Sequence, residues 1–218
     1  MPFVPTPRSG YSRAEFISDA VVHVAGLALV LMAIPVLIVV TAMLRGDTSS
    51  IVGVSIYGAA MLAMIACSAL YNMTPGTALA WLYRRLDHSA IYVKIAGTYT
   101  PFTLISGQGF TLTAGVWAAA ALGVALKIVA PERFRWLALS LYLGMGWAGL
   151  VAGQALIAVL PMPVLVLMVI GGLLYSGGVV FYLWERLPFH TTIWHVFVLA
   201  ATFVFYAAVV TLVVLGRT

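Results

Sequence analysis

Residues 20–44 read AVVHVAGLALVLMAIPVLIVVTAML, an apolar run whose only ionisable side chain is His23. A transmembrane helix needs about 20 consecutive, mostly apolar residues, so this run is long enough to cross a bilayer. It is too long for the apolar part of a cleaved signal peptide. The stretch therefore predicts a retained membrane helix near the start of the chain.

The whole chain shares this apolar character. Its 218 residues are 63% hydrophobic and 8% charged, with a mean hydropathy of +1.10. Soluble domains carry about 25% charged residues, so a soluble globular fold is excluded. Cys67 is the single cysteine, which excludes a disulfide scaffold. The net charge of +5 comes from basic residues that flank apolar runs, where they contact anionic lipid. We therefore expect membrane lipids as partners, and no nucleic acid.

Apolar runs separated by glycine, proline and charged residues predict an all-α fold, a bundle of seven transmembrane helices. A single membrane domain then covers residues 18–215, after an N-terminal segment at 1–17. The sequence lacks the alternating pattern of strands. The predicted helices lie at about 18–44, 51–72, 87–106, 110–129, 136–159, 163–184 and 190–215.

Lysine and arginine predict the orientation of this bundle. With the N-terminus in the cytoplasm, eight basic residues fall on the inner side and two, Arg45 and Arg217, on the outer side. Cytoplasmic loops are the ones enriched in Lys and Arg. We therefore expect a cytoplasmic N-terminus, an external C-terminus and a location in the cell's inner (plasma) membrane. The inner basic residues are Arg8, Arg13, Arg84, Arg85, Lys127, Arg133, Arg135 and Arg186.

Polar side chains within the apolar runs are costly in a membrane, and they usually mark a functional site. Most of them fall at one predicted depth, near the inner ends of four helices. They are Asp19 and His23 in the first helix, Ser68 and Asn72 in the second, Asp87 in the third and His195 in the seventh. A cluster at one depth predicts a polar pocket in the inner third of the bundle.

Structural roles remain open for the same residues. Asp19 and Asp87 stand near helix starts, where a carboxylate also complements the helix dipole or caps the helix. Ser68 can bond its own backbone carbonyl one turn back, and His195 can be a buried histidine bonded across helices. His190 follows Pro188 at headgroup level, where exposure is expected.

Lys94 is the unusual residue of the third helix. It lies seven positions after Asp87 on the same helix face, about 10 Å along the axis. Its side chain either snorkels to the inner interface or stays buried and faces the polar cluster. In the second case we expect it to pair with Asp87 or Asp19, because an unpaired buried charge is costly.

Several stretches, in order along nearly the whole chain, resemble the hemolysin III branch of the progestin and adipoQ receptor superfamily. The most specific runs from LDHSAIY at 86–92 to IAGTYTPF at 95–102. The others are SIYG at 55–58, SALY at 68–71, LYL at 141–143, MGW at 145–147, residues 171–182 and IWHVFVL at 193–199.

This resemblance implies an inner-leaflet zinc site and, in some members, zinc-dependent hydrolysis of a lipid amide. It implies catalytic roles for Asp87, which would support the site and its metal-activated water, and for Ser68, and a zinc-ligand role for His195. Asn72 and Thr191 occupy the other two ligand positions, where the family has histidine, and they join Lys94 as candidate lipid-contacting residues. A metal site would then consist of His195, Asp87 and a third ligand, either His23 or His190. A later position, where the resemblance implies another histidine, is occupied here by Phe205.

Three functions are consistent with these features. The first is a hemolysin III-like membrane protein that acts in membrane homeostasis through a lipid-facing inner pocket. The second is a zinc-dependent, ceramidase-like lipid amide hydrolase. The third is a pore-forming hemolysin or channel, with Lys94, Asp87 and Asp19 as a charge relay.

Overall fold

The computed structural model describes residues 12–129 and 135–216, and every regular element in these ranges is a helix. The predicted positions of Arg8, Arg133 and Arg217 therefore lie outside the described residues. The helices are α1 Arg13–Leu44, α2 Thr48–Met73, α3 Ala80–Ser106, α4 Phe110–Val129, α5 Arg135–Ala152, α6 Gln154–Ile157, α7 Met162–Leu183 and α8 His190–Leu215.

Five of these helices (α1, α2, α4, α7 and α8) are long and apolar enough to cross a membrane. Their outward faces carry large exposed apolar side chains, such as Met32 at 60% exposure and Met43 at 79%. Apolar surface of this extent suits lipid rather than water. The chain is therefore a multi-pass helical membrane protein. Helix α3 is more polar, and α5 is a shorter helix that is apolar over Trp136–Ala152. That these two helices also cross the membrane stays a prediction.

Three predicted helix boundaries differ from the structure. Helix α1 begins at Arg13, because Ser12 and Glu15 form a capping box that satisfies the first amides. Helix α3 begins at Ala80, so the interfacial segment before Asp87 forms its first two turns. The predicted helix at 136–159 breaks at Gly153, which leaves helical geometry before the short α6.

The helices pack in an order that encloses the predicted pocket. Helix α2 packs against α1 and α3, α7 against α8, and α8 returns to α1. One apolar core joins α1, α2 and α8 around buried Tyr57 and Val209, and a second joins α3, α4 and α5 around Tyr92. We call the end at which α1, α3 and α8 begin the basic end, defined by Arg84, Arg85, Lys127 and Arg186.

The opposite end is fixed by the connection between α1 and α2. Arg45 donates from its Nη1 to the backbone oxygen of Gly216 at the end of α8 (2.6 Å). Asp47 caps α2: its carboxylate accepts a hydrogen bond from the backbone N–H of Ser50, which lowers the pKa of Asp47 to about 2. The Arg45 contact joins the end of α1 to the end of α8.

Candidate functional site

Helices α1 and α8 are also held together at the basic end. The Glu15 carboxylate accepts a hydrogen bond from the backbone N–H of Phe189 (2.9 Å), immediately before α8. The hydroxyls of Ser18 and Thr192 lie 3.1 Å apart. This alignment places Asp19, the next residue of α1, opposite His195, which lies about one turn after Thr192 in α8.

Five side chains then form one hydrogen-bonded group, the polar cluster. His195 donates from Nδ1 to Oδ1 of Asp19 (2.6 Å), and His23 donates from Nδ1 to the backbone oxygen of Asp19 (2.8 Å). The two imidazole rings meet edge to face, with centroids 4.4 Å apart. The cluster comprises Asp19, His23, Ser68, Asn72 and His195.

Helix α2 completes the polar cluster from the other side. The Ser68 hydroxyl lies 3.1 Å from Nε2 of His23, which accepts from it when Nδ1 of the same ring carries the proton. Asn72 donates its amide to the backbone oxygen (2.9 Å) and to the hydroxyl (3.3 Å) of Ser68. Because His195 uses its Nδ1–H on Asp19, its Nε2 keeps a lone pair for a ligand.

A cavity of about 780 Å³ lies inside the bundle and includes part of the polar cluster in its wall. His23, Ser68, Asn72 and His195 line it toward the basic end. Most of the remaining wall is apolar and includes Phe102, Leu156 and Leu160, with Lys94 and Thr98 of α3 among these side chains. The cavity therefore has the polar cluster at one end and a mostly apolar wall beyond it.

The other predicted site residues line the same cavity. Asp87 is half-buried in the wall of this cavity. His190 and Thr191 also line it, with the Thr191 hydroxyl 3.4 Å from Nε2 of His190. The prediction that His190 is exposed is wrong, because its side chain is half-buried against the cavity.

The described residues contain one group that suits a metal ion, and it differs from the predicted set. Ligand atoms of Asp19, His23 and His195 lie within 4.8 Å of one another. Two imidazoles and a carboxylate are donors that zinc accepts. The carboxylate of this group is Asp19 rather than Asp87, while His23 and His195 were both predicted as candidates. At the two positions where the resemblance led us to expect histidine ligands, the Asn72 amide bonds Ser68 and the Thr191 hydroxyl lies near His190.

Lys94 neither snorkels nor pairs with a carboxylate. Its side chain is 2% exposed, and Nζ donates to the hydroxyl of Thr98 (2.8 Å), one turn further from the basic end. Nζ also lies 4.8 Å from the ring centre of Tyr57 and 5.9 Å from that of Phe205. The expected pairing with Asp87 or Asp19 is therefore wrong, since the side chain extends in the other direction.

Sequence reasoning placed Asp19 in the inner polar pocket and in a possible charge relay, but not among the metal ligands, and it gave no role to Thr98 or Tyr57. A signal for Asp19 was present, because it precedes His23 by four residues and so shares its helix face. No comparable signal marks Tyr57, which comes from a different helix than Lys94. Only the packing of α2 against α3 brings the two together.

The fold and the site define a class of protein: a multi-pass helical membrane protein with a buried histidine–carboxylate cluster that faces an internal cavity. Comparison with known proteins agrees with this class. A family model described as "Haemolysin-III related" matches residues 14–206, and the chain belongs to that family.

Two relatives cover most of the chain. A protein named "Hemolysin-3 homolog" from Bacillus subtilis (strain 168) is 40% identical over 193 residues, which are 86% of this chain and 89% of the relative. "Hemolysin-3" from Bacillus cereus is 38% identical over 191 residues, which are 86% of this chain and 87% of that protein. The expected membership in the hemolysin III family is thereby confirmed.

Proposed function

We propose that this protein receives a membrane lipid in its internal cavity and acts in membrane homeostasis through that lipid. The observation that carries the proposal is the cavity of about 780 Å³, with the polar cluster at one end and a mostly apolar wall beyond it. Sites for small molecules commonly measure about 300–1,000 Å³ and place a few polar groups among apolar side chains. An amphiphilic lipid fits such a cavity, with its headgroup at the polar cluster and its chain along the apolar wall.

The inner leaflet of the plasma membrane is the proposed source of the lipid. The basic end carries Arg84, Arg85, Lys127 and Arg186, and a cytoplasmic position for these residues follows the positive-inside rule. The polar cluster lies near this end, so a headgroup from the inner leaflet has the shortest path to it. Basic residues beside the entrance also attract anionic lipid.

The test is the lipid that remains bound through purification. The protein is purified in detergent, extracted, and its lipids are quantified by mass spectrometry. Leu165→Trp fills the cavity, whereas Leu173→Trp on the same helix faces outward at 59% exposure. We expect a stoichiometric lipid in the parent and in Leu173→Trp, and its loss in Leu165→Trp. Equal lipid in both variants would contradict the proposal.

A second candidate function is metal-dependent hydrolysis of a lipid amide, favoured by the closeness of Asp19, His23 and His195. These three side chains would hold the ion, which lowers the pKa of a bound water and polarises a carbonyl. Ser68 and Asn72 would position the lipid headgroup beside them. Asp87 lines the same cavity and would contact the headgroup from α3.

Metal content separates the two candidates. Protein purified without chelator is analysed by elemental mass spectrometry, beside His195→Ala and Asp19→Asn. About one zinc per chain that both variants lose would support the hydrolase, and release of fatty acid from amide-linked lipids would then be assayed. Zinc far below one per chain would leave the metal-free lipid pocket as the function. A channel is not proposed, because apolar Phe102, Leu156 and Leu160 line the cavity away from the basic end.

A further inference from the structure

Lys94 presents an amine to the cavity in an environment without a counter-ion. Its side chain lines the cavity and is 2% exposed. Within residues 12–129 and 135–216, no carboxylate lies within ion-pair distance of its Nζ. The amine instead contacts one hydroxyl, that of Thr98, and the faces of the Tyr57 and Phe205 rings.

This environment suits a nucleophilic amine better than a binding site for an anion. Sites for carboxylates and phosphates usually combine several donors, often the fork of an arginine. Around Nζ of Lys94 the described contacts supply one hydroxyl and two aromatic rings. Lysines desolvated in apolar pockets are those that proteins use to form Schiff bases with carbonyl compounds.

We infer that Lys94 binds a long-chain, lipid-soluble aldehyde as a Schiff base. The inference rests on the proposed function in one respect, since it places an amphiphile in the same cavity. The aldehyde carbon would meet Nζ of Lys94, and the chain would lie against the apolar wall that includes Phe102 and Met168. Such a ligand partitions into the membrane and needs no charged headgroup.

The reaction balances without a further reactant. The amine nitrogen adds to the aldehyde carbon to form a carbinolamine, and loss of one water molecule gives the C=N bond. The Thr98 hydroxyl lies 2.8 Å from Nζ and donates to the backbone oxygen of Lys94 (2.7 Å). It is therefore placed to pass the proton from the nitrogen to the departing hydroxyl. Water reverses the reaction and releases the aldehyde.

Reductive trapping tests this inference directly, because the chain has only two lysines, Lys94 and Lys127. The purified protein is incubated with hexadecanal and then with borohydride, which converts the C=N bond to a stable amine. Peptide mass spectrometry then locates the added hexadecyl group. We expect it on Lys94 in the parent and in Lys127→Arg, and its absence in Lys94→Arg, which keeps the positive charge.

Two further measurements keep the result interpretable. Hexadecanol has the same chain without a carbonyl group, so an excess of it should reduce labelling of Lys94. The melting temperature of Lys94→Arg in detergent shows whether that variant folds. Labelling of Lys127 alone, or no labelling of a folded parent that retains its lipid, would overturn the inference and leave the proposed function standing. A parent with neither lipid nor label would overturn both.

Discussion

The Nδ1 atom of His195 lies 2.6 Å from Oδ1 of Asp19, a residue 176 positions earlier in the sequence. This hydrogen bond joins α8 to α1. The side chain of Asp19 is almost fully buried, so the bond forms away from bulk water. A buried carboxylate that loses its partner is left with its desolvation cost. The pair therefore holds α1 against α8 and fixes the orientation of the His195 ring toward the cavity.

Removal of either partner should destabilise the protein. We expect Asp19→Asn and His195→Ala each to reduce the free energy of unfolding by about 1–3 kcal/mol, because a buried polar group loses its partner. The double variant should lose less than the sum of the two single losses. Unfolding in detergent measures all three. As a control, Asp47→Asn at the opposite end of the bundle should add to His195→Ala without coupling.

Restored family ligands should create a stronger zinc site. Asn72→His with Thr191→His places imidazoles at the two positions where the resemblance to the hemolysin III family predicts histidine ligands, and Thr191 lies one turn before His195. Histidine is a far better zinc ligand than asparagine or threonine. We expect higher zinc content in this double variant than in the parent, by elemental mass spectrometry. The control Asn72→Gln with Thr191→Val, which adds no imidazole, should show no increase, and no gain in the histidine variant would contradict the proposed ligand positions.

Gly97 should tolerate no larger side chain. A Cβ atom at this position would lie 2.6 Å from Cβ of Ala60 on α2, and neither atom can rotate away. We expect Gly97→Ala to destabilise the protein by about 1–3 kcal/mol through overpacking between α2 and α3. Gly115 on α4 has no atom within 4 Å of such a Cβ, so Gly115→Ala should leave the melting temperature unchanged or raise it. Equal effects of the two substitutions would contradict this packing.

We expect the buried amine of Lys94 to lower the stability of the folded protein relative to an apolar side chain at the same position. Since its amine has no carboxylate partner, Lys94→Met should unfold at the same temperature as the parent or higher. The effect of Asp87→Asn should be the same with or without Lys94→Met, because the two side chains do not interact. Thermal unfolding of the two single variants and the double variant tests both statements. A clear drop in Lys94→Met would show that the ammonium has a stabilising partner.

The orientation of the bundle predicts where its ends lie. Basic residues cluster at one end, so we expect a cytoplasmic N-terminus and, with seven spans, an external C-terminus. Alkaline phosphatase is active only outside the cytoplasm, and its fusion to the C-terminus should be active in bacterial cells. A green fluorescent protein fused at the same place should stay dark. The reverse pattern would mean an even number of spans or an inverted bundle.

The sequence was sufficient for the architecture because membrane insertion depends on local composition. An apolar run such as 20–44 must be helical in lipid, since no water is present to satisfy an exposed backbone. Helix ends were predicted less well, because they depend on side-chain caps. The capping box of Ser12 and Glu15 and the break at Gly153 moved boundaries that hydropathy alone had placed elsewhere.

Composition and motifs were enough to predict a multi-pass helical membrane protein of the hemolysin III family, with polar residues gathered near one end. Spacing could also show that Asp19 and His23 share a helix face. The pairing of Asp19 with His195, and the turn of Lys94 away from Asp87 toward Thr98 and Tyr57, emerged from the packed structure. These contacts join different helices or depend on side-chain direction. Both are set by how the helices align and rotate against one another, which local sequence does not encode.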